Sequence, residues 1–277
     1  MTAETVDVGP TLLVGSPIAK EIRANLRDEM VAFTATNGRA PTLVVVFVGA
    51  DAPSAVYLQQ ILKSCENVGA AGRVVQLPAG CAADELRREI ERLNDDPSVD
   101  GIIVQMPLPP DIPLRAVIDA IDPAKDIDGL HPENAGLLAE GYDGFLPATA
   151  QASVEILKRS GIAIEGRHAV VVGRSNVVGK PAALLLLREH ATVTICHSRT
   201  KDLAAHTRTA DIVIVDVGIN VVDDGIVGDV DFASARAVVG AISPVPGGVG
   251  PLTNAILMQH LLAAARGQAG RARAQTS

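Results

Sequence analysis

Two short runs, "PTLVVVFVG" (41–49) and "RHAVVVG" (167–173), constrain the fold more than anything else in the chain. Each is β-branched and closed by glycine, the pattern of a strand covered by helices on both faces. Segments with helical apolar spacing lie around them. "SPIAKEIRANLRDEMVAF" precedes the first run and opens on Ser16-Pro17, a cap and first-turn pair. "SAVYLQQILKSCENVG" follows it and stops at Gly69. Next come "GRVVQLP" as strand, "AADELRREIERLN" as helix, "DGIIVQMPLPP" as strand and stiff loop, and "LRAVIDAI" as helix. The stretch 122–149 reads as irregular, "AQASVEILKRSG" resumes helix, and a second α/β series begins at Arg167. Such alternation predicts an α/β fold with parallel, helix-covered sheets. The break near residue 148 predicts two domains, and the tail "RGQAGRARAQTS" is expected to be disordered.

Composition excludes several functions. The 277 residues are 48% hydrophobic, enough for one large core or two ordinary ones. A net charge of −8 without a basic tract argues against nucleic acid and anionic membrane as partners. The longest aliphatic run, "AALLLL" (182–187), is too short to span a bilayer. Cys65, Cys81 and Cys196 are scattered, without metal-ligand spacing, and fit a reducing compartment. The N-terminal residues show no secretory pattern, so a cytoplasmic location is expected.

Three motifs carry chemistry. In "AVVVGRSNVVGKP" a strand ends at Gly173 and Gly179 opens a helix. The turn between them suits either a phosphate at the helix N-terminus or a plain strand-to-helix connection. The next strand, "ATVTIC", ends in His197-Ser198-Arg199, where an NAD site carries an acid for the ribose. With Arg174 in the first loop, a 2′-phosphate is the better match, which points to NADP. In "PAKDIDGLHP", Asp126 and Asp128 read as turn formers, and no third ligand makes a metal site. "ISPVPGGVGPLTNAIL" packs three prolines and three glycines into 244–251, expected to be neither helix nor strand, with Thr253 placed to cap the last helix. Tyr57, one of two tyrosines in a chain without tryptophan, reads as core or as the floor of a site for a flat ligand.

Together these strings resemble the methylenetetrahydrofolate dehydrogenase/methenyltetrahydrofolate cyclohydrolase family. The match runs from "LLVGSPIAKEIR" through "VGADAPSAVY", "GIIVQMPLP", "PAKDIDGLHPENAG", "VVVGRSNVVGKPAALLL" and "GDVDF" to "PVPGGVGPLTNAIL". The resemblance implies two α/β domains facing a cleft, residues 1–148 plus 252–277 binding folate and a Rossmann-like 149–251 binding NADP, in a homodimer. It implies that Tyr57 stacks on the pterin, that Gln105 is a polar active-site residue, and that Asp128 accepts hydrogen bonds from the pterin amino and ring N–H groups. Pro107, Leu108, Gly248, Gly250, Pro251 and Thr253 complete the substrate set. Gly173, Arg174, Ser175, Gly179, Ser198, Gly218 and Ile219 form the cofactor set, and no metal is implied.

Three departures stand out. The family carries a lysine one helical turn after the tyrosine, where this chain has Ile61; Lys63, rotated by about 200°, is no substitute. In "TADIVIVDVGINVVDDG" the first half of one family strand joins the second half of a later one, omitting roughly twenty residues beside the cofactor. A Pro-Cys-Thr-Pro stretch is reduced to Pro147 and Thr149 in "LPATAQA". Hydride transfer depends mainly on positioning, whereas hydrolysis of a methenyl bridge needs proton movement. The expected activity is therefore an NADP-dependent methylenetetrahydrofolate dehydrogenase with weak or lost cyclohydrolase. A non-catalytic folate- or nucleotide-binding paralogue is the alternative, and a dehydrogenase of small acids a remoter one.

Overall fold

The computed structural model describes residues 10–49, 52–216, 219–222 and 225–276. It contains two compact units, one of residues 19–151 with 253–277, the other of the segment up to Ile18 with 152–252.

The chain enters through β1 (Thr11–Leu12) and helix α1 (Gly15–Asn37), which begins at Gly15, ahead of the expected Ser16 cap. Then β2 (Thr42–Val48), α2 (Ala52–Val68), β3 (Ala71–Leu77), α3 (Ala83–Asp95) and β4 (Gly101–Val104) alternate. The sheet is parallel in the order β3-β2-β4, with Val48 level with Leu77 and Val46 with Val104. As its uninterrupted apolar run predicts, β2 is buried from Leu43 to Val48. Helix α3 shows the amphipathic logic: Leu86, Ile90 and Leu93 face the core and the other positions are charged, polar or alanine. Asp100, without solvent exposure, takes two bonds from the Arg39 guanidinium (2.5 and 2.8 Å) and one from the Thr42 N–H (2.8 Å), fixing the start of β2 beside β4.

After α4 (Leu114–Ile118), the stretch expected to be irregular contains helix α5 (Pro132–Glu140) and the start of α6 (Ala148–Arg159). Local chemistry explains α5. His131 Nδ1 accepts from the Glu133 N–H, Pro132 occupies the first turn, and Gly141 ends the helix at φ 79°.

The second series comprises β5 (His168–Val172), α7 (Gly179–Arg188), β6 (Thr192–Cys196), α8 (Leu203–Thr207) and β7 (Ile212–Val215). Its parallel sheet runs β6-β5-β7, with β5 in the middle. The "ADIVIV" run enters the sheet as β7, the end strand of the described sheet. A hairpin of β8 (Ile219–Val222) and β9 (Gly225–Gly228) follows, then α9 (Phe232–Arg236) and β10 (Ala241–Ile242), which pairs with β1.

Helix α10 (Val249–Thr276) corrects two expectations. It takes in Gly250 and Pro251, so Thr253 lies inside the helix and is not its cap. Proline fits there because a first-turn residue needs no N–H partner. The tail expected to be disordered continues α10, being rich in alanine, glutamine and arginine. It is tied down where Gln268 Nε2 donates to the Asp100 carbonyl (2.8 Å) and Arg273 to Asn37 Oδ1 (3.1 Å).

Candidate functional site

In the unit of residues 19–151 and 253–277, polar groups gather beyond the carboxyl ends of β2 and β4. Gln105 follows β4 directly. Its backbone N–H donates to the Val46 carbonyl (2.8 Å) and its Nε2 to the Met106 carbonyl (2.9 Å), but its buried Oε1 meets no partner among the described residues. A buried amide oxygen without a donor is uncommon and points to a group that a ligand or water satisfies. The segment after Lys125 lies beside β4, its Asp126 bridged to Ile102. Lys125 holds that segment by donating to the carbonyls of Leu93, Asn94 and Asp96, at 3.1, 2.7 and 2.8 Å.

The two aspartates of "KDIDG" divide the work. Asp126 is structural: its carboxylate accepts from the N–H groups of Leu130 (3.1 Å) and His131 (2.7 Å) and from Asn134 Nδ2 (2.8 Å). Asp128 has no hydrogen-bond partner among the described residues. Burial first, and the Asp126 charge second, push its carboxyl up to about 7. Tyr57 lies within the field of this carboxyl. Its phenol is raised well above the usual range, by burial and then by Asp128, although 36% of the residue is exposed. Sequence positions 57 and 128 are therefore brought together. Ile61 is 1% exposed and lies in the inward stripe of α2 with Leu58, Cys65 and Val68, while Lys63 is exposed on another face.

In the unit of residues 152–252, the register levels Val172 of β5 with Cys196 of β6 and Val215 of β7. Gly173 (φ 127°), a backbone angle suited to glycine, turns the chain from β5 toward α7. Arg174 and Ser198 leave adjacent strand ends and are both exposed. The crevice beyond β5 lies where the strand order reverses, the usual dinucleotide position in such sheets. Two glycines, Gly173 and Gly179, admit a close approach of whatever sits between them, and the N-terminus of α7 supplies N–H groups. The shape suits a dinucleotide. Its first donors are already engaged, however. The Ser175 N–H and hydroxyl donate to the Asp216 carboxylate at 2.8 and 3.0 Å.

Family models match both units. The catalytic-domain model of tetrahydrofolate dehydrogenase/cyclohydrolase covers residues 13–128, and the NAD(P)-binding-domain model covers 147–216 and 213–269. The chain belongs to the tetrahydrofolate dehydrogenase/cyclohydrolase family. The bifunctional protein FolD of Roseiflexus sp. is 47% identical over 278 residues, 93% of this chain and 96% of that protein. FolD of Halothermothrix orenii is 46% identical, over 91% and 97% of the two chains. Among solved structures, the bifunctional FolD of Campylobacter jejuni aligns at TM-score 0.89 with 39% identity, covering 93% of this chain and 99% of its own. The Trypanosoma brucei enzyme, solved with NADP and an inhibitor, gives 0.88 at 33% identity, covering 93% and 98%. The match to the NAD(P)-binding model breaks into two pieces that meet at 213–216, inside β7 and at Asp216.

For this family member, the remaining sequence-predicted residues fall as follows. Pro107 is exposed and Leu108 packs partly against the core beneath β4. Thr253 is buried in α10. Gly248 is confined by its own turn: a Cβ there would strike Ser243 Oγ and lie 2.5 Å from the Pro244 carbonyl oxygen. Ile219 begins β8, and Gly218 lies outside the described residues. Among the described residues no cluster of three or more His, Cys, Asp or Glu could hold a metal ion, and no helix is long and apolar enough to cross a membrane.

Sequence reasoning missed His260. Its Nδ1 lies 2.8 Å from the Ile127 carbonyl oxygen, its Nε2 2.9 Å from the Gln151 side-chain amide, and its ring 5.5 Å from that of Phe145. Burial lowers its pKa to about 4, so the ring is neutral. A neutral ring has one N–H. Given to the Ile127 carbonyl, it fixes the peptide just before Asp128. Nothing in the sequence around a histidine this deep in α10 signals that contact.

Proposed function

We propose that this protein is an NADP-dependent methylenetetrahydrofolate dehydrogenase of one-carbon folate metabolism, with little or no cyclohydrolase activity. The observation that carries the reading is the Tyr57–Asp128 pair: an aromatic side chain whose phenol feels the charge of a carboxyl group that lacks any hydrogen bond among the described residues. A pterin suits both. Its flat ring gains apolar area and π contact on Tyr57, and its amino and ring N–H groups supply two donors to one carboxylate. Gln105 Oε1 is a second unmet group on the same unit. NADP supplies the hydride acceptor when bound, held by the Gly173–Gly179 turn with Arg174 and Ser198 on its 2′-phosphate. Support for NADP comes from those two residues and from the Trypanosoma brucei relative solved with it.

Loss of a hydride from the methylene bridge leaves an iminium stabilised by the adjacent nitrogen, so this step asks the chain mainly to position its reactants. Hydrolysis of the methenyl product also requires proton movement. At position 61 the chain offers only a buried aliphatic group, which neither donates nor accepts. A homodimer in the cytoplasm is part of the same proposal; the three free, buried cysteines fit a reducing compartment.

One observation favours a second reading. The Asp216 carboxylate bound to Ser175 fits a folate-binding paralogue that has given up turnover. Purified protein mixed with methylenetetrahydrofolate and either NADP or NAD distinguishes the two. We expect reduced nicotinamide to appear with NADP. Tight folate binding without nicotinamide reduction by either cofactor would transfer support to the paralogue.

A further inference from the structure

The first residue beyond β7 is an acid, and the strand register decides where it goes. Val215 is level with Val172, and the Asp216 N–H donates to the Val172 carbonyl (2.8 Å). Asp216 therefore emerges beside Gly173, at the mouth of the turn into α7. Its Oδ2 accepts from the Ser175 N–H and its Oδ1 from the Ser175 hydroxyl. The same Ser175 Oγ accepts from the N–H of Val178 at 2.9 Å and of Gly179 at 3.4 Å. The donors that open α7 are thus satisfied within the chain. Both glycines make room for this. A Cβ on Gly173 would strike Asp216 Cβ, and one on Gly179 would lie 2.6 Å from Asp216 Oδ2. The space between the glycines is filled by a carboxylate.

A carboxylate on a backbone N–H and a hydroxyl makes the contacts a phosphate oxygen would make there. We propose that Asp216 is an internal competitor for the dinucleotide pyrophosphate, so that cofactor binds only as this side chain leaves Ser175. The proposal rests on the reading of this turn as the NADP loop. Two effects act together. The incoming diphosphate finds its N–H donor taken, and it meets a like charge a few ångströms away in a half-buried position, where screening is weaker than in bulk water. Asp216 also opens the "DVGIN" string, at the point where the NAD(P)-binding model breaks into its two matching pieces. The competitor is thus a consequence of the shortened segment. Its effect falls on the pyrophosphate, which NAD and NADP share, and not on the 2′-phosphate that separates them. Asp216 therefore sets how tightly the protein holds either nucleotide, while Arg174 and Ser198 set which one it prefers.

The test is a binding titration of NADP and of NAD, by calorimetry, on wild type, Asp216→Ala and Asp216→Asn. The Asn variant keeps the shape and removes the charge, and a wild-type-like melting curve shows that it folds. We expect both nucleotides to bind either variant about tenfold tighter or more, a change of about 1.4 kcal/mol per factor of ten. In turnover the Michaelis constant for NADP should fall while that for the folate holds, a split that a merely structural role for Asp216 would not produce. Wild type that binds NADP no more weakly than both folded variants overturns the competitor and leaves the NADP reading intact. No binding of either nucleotide to wild type or to folded variants overturns both. A crystal structure of wild type soaked in NADP gives a check without mutation. We expect the Asp216 side chain turned away from Ser175; a dinucleotide seated on α7 with the Asp216–Ser175 bonds unchanged overturns the proposal.

Discussion

The two units place the same device at the centre, a parallel three-stranded sheet with its first strand in the middle: β3-β2-β4 in one, β6-β5-β7 in the other. Each has its candidate site beyond the carboxyl ends of the strands. They differ in what those ends leave unmet. Beyond β4, Gln105 Oε1 lacks a partner and the Asp128 carboxyl lacks a hydrogen bond among the described residues. Beyond β5, the Ser175 donors already hold Asp216. One unit is incomplete without a ligand and the other has partly completed itself. Fold alone would assign both the same competence; the side chains at the strand ends separate them.

The sharpest way to break the comparison is the hydrolytic activity, since it is expected to be lost from the unit that otherwise looks intact. Removing a positioned proton-transfer group costs on the order of 10²- to 10⁴-fold. Wild-type protein should therefore hydrolyse methenyltetrahydrofolate at close to the buffer rate. Ile61→Lys should raise that rate, and should lower the melting temperature, because Ile61 is 1% exposed and an ammonium there must be buried or bend outward. Hydrolysis by the wild type at the level of an intact cyclohydrolase sinks the assignment of position 61.

A smaller effect separates the two ends of the dinucleotide. Arg174→Ala should weaken NADP binding about tenfold, the scale of one lost charge-assisted contact, and leave NAD nearly unchanged. Titration of both nucleotides measures it. Equal losses would show that Arg174 does not read the 2′-phosphate. Paired with Asp216→Ala, which should move both nucleotides together, it maps the turn into a discriminating part and a shared part.

How far the sequence revealed this depended on the range of the contact concerned. Strands β2 and β5 were legible because an uninterrupted β-branched run closed by glycine has few other readings. Helix α5 was not, since its signals are single residues within a turn-rich stretch: His131 as cap, Pro132 in the first turn, Gly141 at the end. The extension of α10 was hidden by two glycines and a mobile-looking composition, and depends on distant partners such as the Asp100 carbonyl. At the candidate site, the family strings were enough to propose residues but not to divide Asp126 from Asp128. It takes the fold to bring Leu130, His131 and Asn134 onto one carboxylate and none onto the other. Asp216 is the extreme case. Its sequence context, "VIVDVGIN", shows a junction, but only the register of β7 against β5 places its carboxylate on Ser175.

A last test, read by stability and not by binding, asks whether the Asp128 carboxyl is unmet. Burial, then Asp126, raises Asp128 to about 7 in the folded protein, against about 3.9 for an unfolded aspartate. The folded state therefore binds the proton more tightly than the unfolded chain does. The sign follows from linkage: between these two values the native state holds a proton that the unfolded state has released, so stability falls as pH rises. The contribution is complete below about pH 4 and is lost by about pH 7. Asp128→Asn supplies a neutral side chain of the same shape at every pH. The variant should melt clearly above wild type at pH 8, because a difference of about three pKa units corresponds to at most about 4 kcal/mol. The gap should close as pH falls toward 4. Thermal melts of the two proteins across that range measure it, in the absence of folate. A constant gap, or one that widens in acid, would mean that another group satisfies Asp128, and the incompleteness assigned to this unit would then reduce to Gln105.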